Sequence, residues 1–162
     1  MKLSLIFVLP ILFLISCHSE RAKNSEIQEL PEFKMLLTDS VSLFEAKNLA
    51  SGKPTILLFF KPDCSHCRKE TKEILEHLQS LKDAQILMLS NAEIPDIRIF
   101  SMHFKLDQYK NFTIGRDYER SFYKIFHPSS VPFMAIYDRQ KKLLKIYSDD
   151  VDIESVISAI QI

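Results

Sequence analysis

The chain has 162 residues, 46% of them hydrophobic, which is enough for one well-buried core and too few for two ordinary domains. Its 21 basic residues match its 21 acidic ones, so no overall field directs it to nucleic acid or to an anionic membrane surface. Two glycines exclude a glycine-rich phosphate loop.

Met1 and Lys2 precede an apolar run over residues 3–15, of signal-peptide length and too short to cross a bilayer as a permanent helix. Residues 1–16 are therefore expected to be an export signal. The ending Leu14-Ile15-Ser16-Cys17 resembles the bacterial lipoprotein box, in which a small residue precedes a cysteine that receives lipid before cleavage. Cys17 would then be the lipidated first residue of the mature chain; the alternative is an ordinary signal with a cysteine nearby. Lipidation also resolves the count of three cysteines into one anchor and one pair. Residues 17–32 are polar, carry charges of both signs and lack an apolar period, as expected of a flexible tether, which leaves residues 33–162 for the domain.

Within that domain, weak signals suggest a short strand over residues 34–37 and a turn or helix over 42–49. Residues 55–60 have the β-branched and aromatic bias of a buried strand, and Pro62 ends its pairing. Cys67, Thr71, Ile74, Leu75, Leu78 and Leu81 then recur at helical spacing, and residues 85–89 read as a second buried strand. Strand, helix, strand in that order implies a parallel crossover, with Cys64 and Cys67 at the carboxyl end of the first strand, where open α/β sheets place reactive groups. Residues 94–104 are expected as helix and 111–116, containing Gly115, as loop. Tyr118, Phe122 and Phe126 are four apart and predict a core-facing helical stripe. His127-Pro128-Ser129-Ser130 breaks that helix, residues 131–137 continue as a strand, and residues 143–147 pair back as a hairpin. Residues 152–160 close the chain as a helix whose stripe is Ile153, Val156, Ile157 and Ile160.

Two cysteines three residues apart at a strand-to-helix junction read as a redox-active dithiol that forms and breaks a disulfide with little backbone movement. Cys64, at the helix start, meets unpaired N–H groups and the helix dipole, so it is the expected nucleophile. Cys67, one turn further in, is the expected resolving thiol. His66 lies between them and, protonated, would favour the reduced form; it reads equally as a solvated loop residue. Half a zinc site or a structural disulfide are the other readings of Cys-X-X-Cys, but zinc needs four ligands and there is no second cysteine pair. His77 is expected to be exposed, and His103 and His127 to be structural.

Gly52-Lys53-Pro54, the Cys-X-X-Cys, Arg68-Lys69-Glu70 and Val131-Pro132 before an apolar strand together resemble the thioredoxin superfamily, within it the membrane-tethered extracytoplasmic thiol-disulfide oxidoreductases of the TlpA and ResA type. Asp63 stands where most of those relatives carry tryptophan. The resemblance implies an α/β thioredoxin-like fold, a central mixed sheet flanked by helices, over residues 41–162. It makes Pro132 a cis-proline facing the dithiol, Val131 a backbone partner for an extended substrate, and Glu70 an acid held near the active cysteines, though Glu70 also reads as an ordinary acid in the first turns of a helix. It implies no bound cofactor. Partners would be exported protein thiols or disulfides, a further redox protein that resets the dithiol, and the membrane through the lipid, on the periplasmic or outer face of a bacterial envelope. A thioredoxin-like peroxidase lacks the resolving cysteine two residues on and needs a threonine where this chain has Lys61-Pro62. The rival from another class is a copper or heme-maturation chaperone holding its ligand with Cys64, Cys67 and His66.

Overall fold

The computed structural model describes residues 27–149 and 151–161. The export signal, Cys17 and residues 17–26 of the expected tether lie outside the described residues. In chain order the elements are β1 (Lys34–Leu37), β2 (Leu43–Glu45), β3 (Thr55–Phe59), α1 (Ser65–Glu76), β4 (Gln85–Ser90), α2 (Ile94–Phe104), β5 (Phe112–Arg116), α3 (Ser121–Phe126), β6 (Phe133–Tyr137), β7 (Leu143–Ser148) and α4 (Ile153–Ile160). The strands form one mixed sheet in the order β2-β1-β5-β4-β3-β6-β7.

Inside that sheet lies β3, parallel to β4 and antiparallel to β6. All five of its residues are buried because both faces are covered, which is why it reads as an unbroken apolar run. Its side chains alternate between two cores. Ile56 and Leu58 join Cys67 and Ile74 of α1, Phe100 of α2 and Val156 of α4, while Leu57 and Phe59 join Phe122 of α3 on the other face. There the rings of Phe59 and Phe122 stack with centroids 4.9 Å apart. Truncating a residue such as Ile74, wholly buried under the sheet, would cost about 2–5 kcal/mol.

Four expectations need correction. Residues 112–116 form β5 rather than a loop, parallel to β4 and antiparallel to β1. Gly115 serves as a point of close approach: a Cβ there would lie 2.6 Å from the Leu36 carbonyl oxygen. Residues 42–49 divide into β2 and a 3-10 turn, Ala46–Asn48. The aromatic stripe loses a member, since α3 starts only at Ser121 and Tyr118 is 41% exposed, leaving Phe122 and Phe126 in contact with the core. The first helix ends at Glu76, and Leu81 reaches the core from the turns that follow. The hairpin over β6 and β7 forms as expected, its turn held by Asp138, whose carboxylate accepts the N–H groups of Gln140 and Lys142.

Packing begins before Phe33. Leu30 N–H donates to the Lys141 carbonyl at 2.8 Å, Tyr137 O–H donates to the Ile27 carbonyl at 3.1 Å, and Glu29 pairs with Lys142. Pro31 is buried. Residues 27–31 therefore lie against the end of the sheet where Tyr137 faces Thr55, the end away from the dithiol.

Candidate active site

The site is built where β3 runs out. Phe60 N–H still donates to the Leu89 carbonyl at 3.0 Å, but Pro62 has no N–H to offer, and the chain turns so that Cys64 N–H reaches the Lys61 carbonyl at 3.2 Å. Cys64 is thereby the N-cap of α1, in extended backbone at φ −78° and ψ 122°, and its Sγ accepts the Cys67 N–H at 3.3 Å. A thiol fills the position that serine or aspartate usually takes, so a backbone donor at the helix start points at the sulfur.

Cys64 is half-buried and Cys67 is fully buried. Both are free thiols. Burial pushes the Cys67 thiol up to about 12, with a further upward contribution from its hydrogen bond to Cys64. On the same buried side of α1, Glu70 is 4% exposed and Thr71 donates its hydroxyl to the Cys67 carbonyl at 2.8 Å. His66 is exposed on the other side.

The antiparallel pairing of β6 on β3 sets Phe133 opposite Phe59, which brings the residues before β6 to the dithiol. The Val131–Pro132 peptide bond is cis. Cys64 Sγ–H lies 3.7 Å from the Val131 carbonyl oxygen and donates to it. Of the residues singled out on the sequence, Cys64, Cys67 and Val131-Pro132 meet at the end of β3, while Glu70 is buried one turn further along α1 and His66 is exposed.

Sequence reasoning missed two supports. Arg68, counted only as part of a motif, donates from Nη1 to the Pro62 carbonyl at 3.2 Å, and its guanidinium lies over the rings of Phe100 and Phe104 at 5.8 and 5.6 Å. It ties the turn that carries Cys64 to α2. Asp117 is wholly buried, and its two carboxylate oxygens accept the N–H groups of Ser121 and Phe122 at the start of α3. Asp117 lies four residues before Ser121 and five before Phe122, and it satisfies donors at the helix start from outside the N-cap position, which Arg120 occupies. The other histidines stand outside the site. His77 is half-buried, its Nδ1 2.9 Å from the Glu73 carbonyl oxygen and its Nε2 3.7 Å from Glu154. His127 ends α3 at φ 46°, and His103 is exposed on α2 with its ring edge against Phe104. Among the described residues, no three histidine, cysteine or acidic side chains are grouped as a metal site requires.

This sheet order, with a Cys-X-X-Cys at the end of a central strand and a cis-proline before its antiparallel neighbour, is that of the thioredoxin-like fold, and solved structures of that fold superpose on it. No family model matches the chain. No curated protein matches it either. A secreted Mycobacterium tuberculosis disulfide oxidoreductase homologous to E. coli DsbE aligns over 85% of this chain and 98% of its own, at 16% identity and a TM-score of 0.66. The putative thiol:disulfide interchange protein DsbE of Chlorobium tepidum aligns over 82% and 95%, at 17% identity and 0.63. The exposed lipoprotein thioredoxin of Streptococcus pneumoniae strain TIGR4 aligns over 80% and 98%, at 18% identity and 0.63. The protein therefore has a thioredoxin-like α/β fold.

Proposed function

We propose that this protein is a thiol-disulfide oxidoreductase that exchanges disulfides with exported proteins. The observation that carries the reading is the pairing of a half-exposed thiol, capping a helix beside a cis-proline turn, with a fully buried thiol one turn on. Oxidoreductases among its structural neighbours support it.

In the reducing direction, the Cys64 thiolate attacks one sulfur of a substrate disulfide. The Cys64–substrate bond forms, the substrate S–S bond breaks, and the departing thiolate takes up a proton. Cys67 then gives up its proton and attacks Cys64 Sγ, which forms the Cys64–Cys67 disulfide and releases the second substrate thiol. Two electrons have passed from the dithiol to the substrate, so an external dithiol must restore them; in the oxidising direction every step reverses. Glu70, buried on the side of α1 that carries Cys67, takes the proton that burial otherwise holds on that sulfur. Val131, whose carbonyl already accepts from Cys64, offers backbone to an extended substrate. Cys17 carries the lipid that keeps the domain at the outer face of a bacterial membrane.

Cys67→Ser tests the scheme, because it removes the releasing step and leaves substrates joined to Cys64. The expected result is mixed disulfides on non-reducing gels that vanish in the Cys64→Ser, Cys67→Ser double variant. Trapping by Cys64→Ser instead would reverse the two roles. No trapping by either, together with loss of a stoichiometric metal from both, would replace the enzyme by a metal-holding protein.

A further inference from the structure

Cys64 has two flanks, set by the sheet order β4-β3-β6. On the β6 side stands the turn with Val131 and Pro132. On the β4 side lies a groove of about 430 Å³ between the turn after β3 and α2, lined among others by Asp63, Ala92, Asp96, Ile99 and Phe100. Asp63, which lines it, is the residue before the attacking thiol, so the groove borders the turn that carries Cys64.

We propose that this groove receives a bulky apolar side chain from a substrate polypeptide, two or three residues from the reacting cysteine, and that Ile99 sets the preference. The inference rests on the disulfide-exchange reading above. Three observations support it. Ile99, which lines the groove, is 67% exposed, so a large apolar side chain is kept in water beside the turn that carries the thiol. The floor is rigid: the Phe100 ring packs on Phe60 at 4.6 Å and on Phe104 at 4.8 Å, beneath the Arg68 guanidinium. The rim carries Lys61 and Arg68 against Asp63 and Asp96, charges that cancel, so it selects neither an acidic nor a basic residue.

Reach agrees with that occupant. An extended chain advances about 3.3 Å per residue, so side chains two or three residues from a cysteine held at Cys64 lie about 7–10 Å from it, far enough to enter a groove that borders the Cys64 turn. A small disulfide such as oxidised glutathione reacts at Cys64 without extending across the groove.

The test compares two peptide disulfides that differ only in leucine or serine at the positions two and three residues on either side of the cysteine, reacted with the reduced full chain. Leucine is expected to react about tenfold faster, the scale of a modest apolar contact in a pocket. Ile99→Asp is expected to abolish that preference and leave the rate with oxidised glutathione unchanged. Ile146→Asp, at another exposed apolar side chain on the edge strand β7, is expected to keep it. Equal rates for the two peptides with the parent protein, a preference that survives Ile99→Asp, or an equal slowing of both peptides and glutathione would each overturn the proposal. Failure of the parent to react with any disulfide would instead remove the exchange reading itself.

Discussion

Cys64 and Cys67 are separated by one helical turn, yet one is half-exposed beside Val131 and the other has no exposed surface at all. The difference arises from backbone, because Cys64 stands off the helix in extended conformation while Cys67 lies within it, on the side that packs against the sheet. A three-residue spacing across a helix start therefore joins one open position and one closed position. Spacing of the same kind inside a helix would put both thiols on the same face and give them similar surroundings. The chemistry proposed above needs that asymmetry, since one sulfur must meet a protein and the other must meet only its neighbour.

The largest effect that would sharpen the contrast is alkaline destabilisation through the closed thiol. Its pKa is raised from 9.0 to about 12, so the charged form is disfavoured in the folded state. With the folded value above the unfolded one, this contribution to stability is whole below about pH 9 and is lost as the pH climbs towards 12. Urea midpoints of the reduced protein are expected to fall over that window, and the fall attributable to Cys67 is expected to disappear in Cys67→Ala. An identical alkaline fall in the variant would mean that the thiol is not held in a closed environment.

Glu70→Gln comes next. If the buried carboxylate takes the Cys67 proton, resolution of a preformed mixed disulfide is expected to slow by about 10²-fold, with attack by Cys64 unchanged. Stopped-flow measurement of the two steps across pH separates them, and equal rates of resolution in parent and variant would reduce Glu70 to a packing residue.

The open side depends on the brace that Arg68 of α1 makes to α2. Arg68→Met keeps the stem but loses the hydrogen bond to Pro62 and the charge over two rings, a loss of about 1–2 kcal/mol in stability. It is also expected to make Cys64 alkylation rates less uniform between temperatures as the turn loosens. Unchanged stability would show that the turn is held without it.

The smallest effect belongs to His66. Being exposed, its charge is screened, and a contribution below about 1 kcal/mol corresponds to less than about 20 mV in a two-electron couple. His66→Pro, tolerated in a first helical turn, is expected to make the protein a slightly stronger reductant in glutathione mixtures. A shift to a more oxidising couple would contradict the electrostatic argument.

The sequence carried the dithiol and the strands that hold it, because β3, β4 and β6 are buried on both faces and their apolar runs are continuous. It did not carry β5, since Gly115 reads as a loop unless the approach of the Leu36 backbone is known. Nor did it carry the role of Arg68, whose partners Pro62, Phe100 and Phe104 are distributed over a turn and another helix. The groove was hidden for a related reason: Ile99 is one more apolar residue of a helix until the fold leaves it in water.

Residues 27–31 dock at the end of the sheet away from Cys64, held by Tyr137, Lys141 and Lys142. With lipid on Cys17 as proposed, the nine residues between anchor and dock span at most about 35 Å. The domain would hang from its rear, and the five residues of β3 add about 17 Å between the docked end and the reacting sulfur. One tethered molecule would sweep a hemisphere of roughly 50 Å radius with its dithiol turned outward. A partner that projects into the space above the headgroups would meet Cys64 directly, whereas a donor confined to the bilayer plane would reach it only if the domain tipped over on its tether.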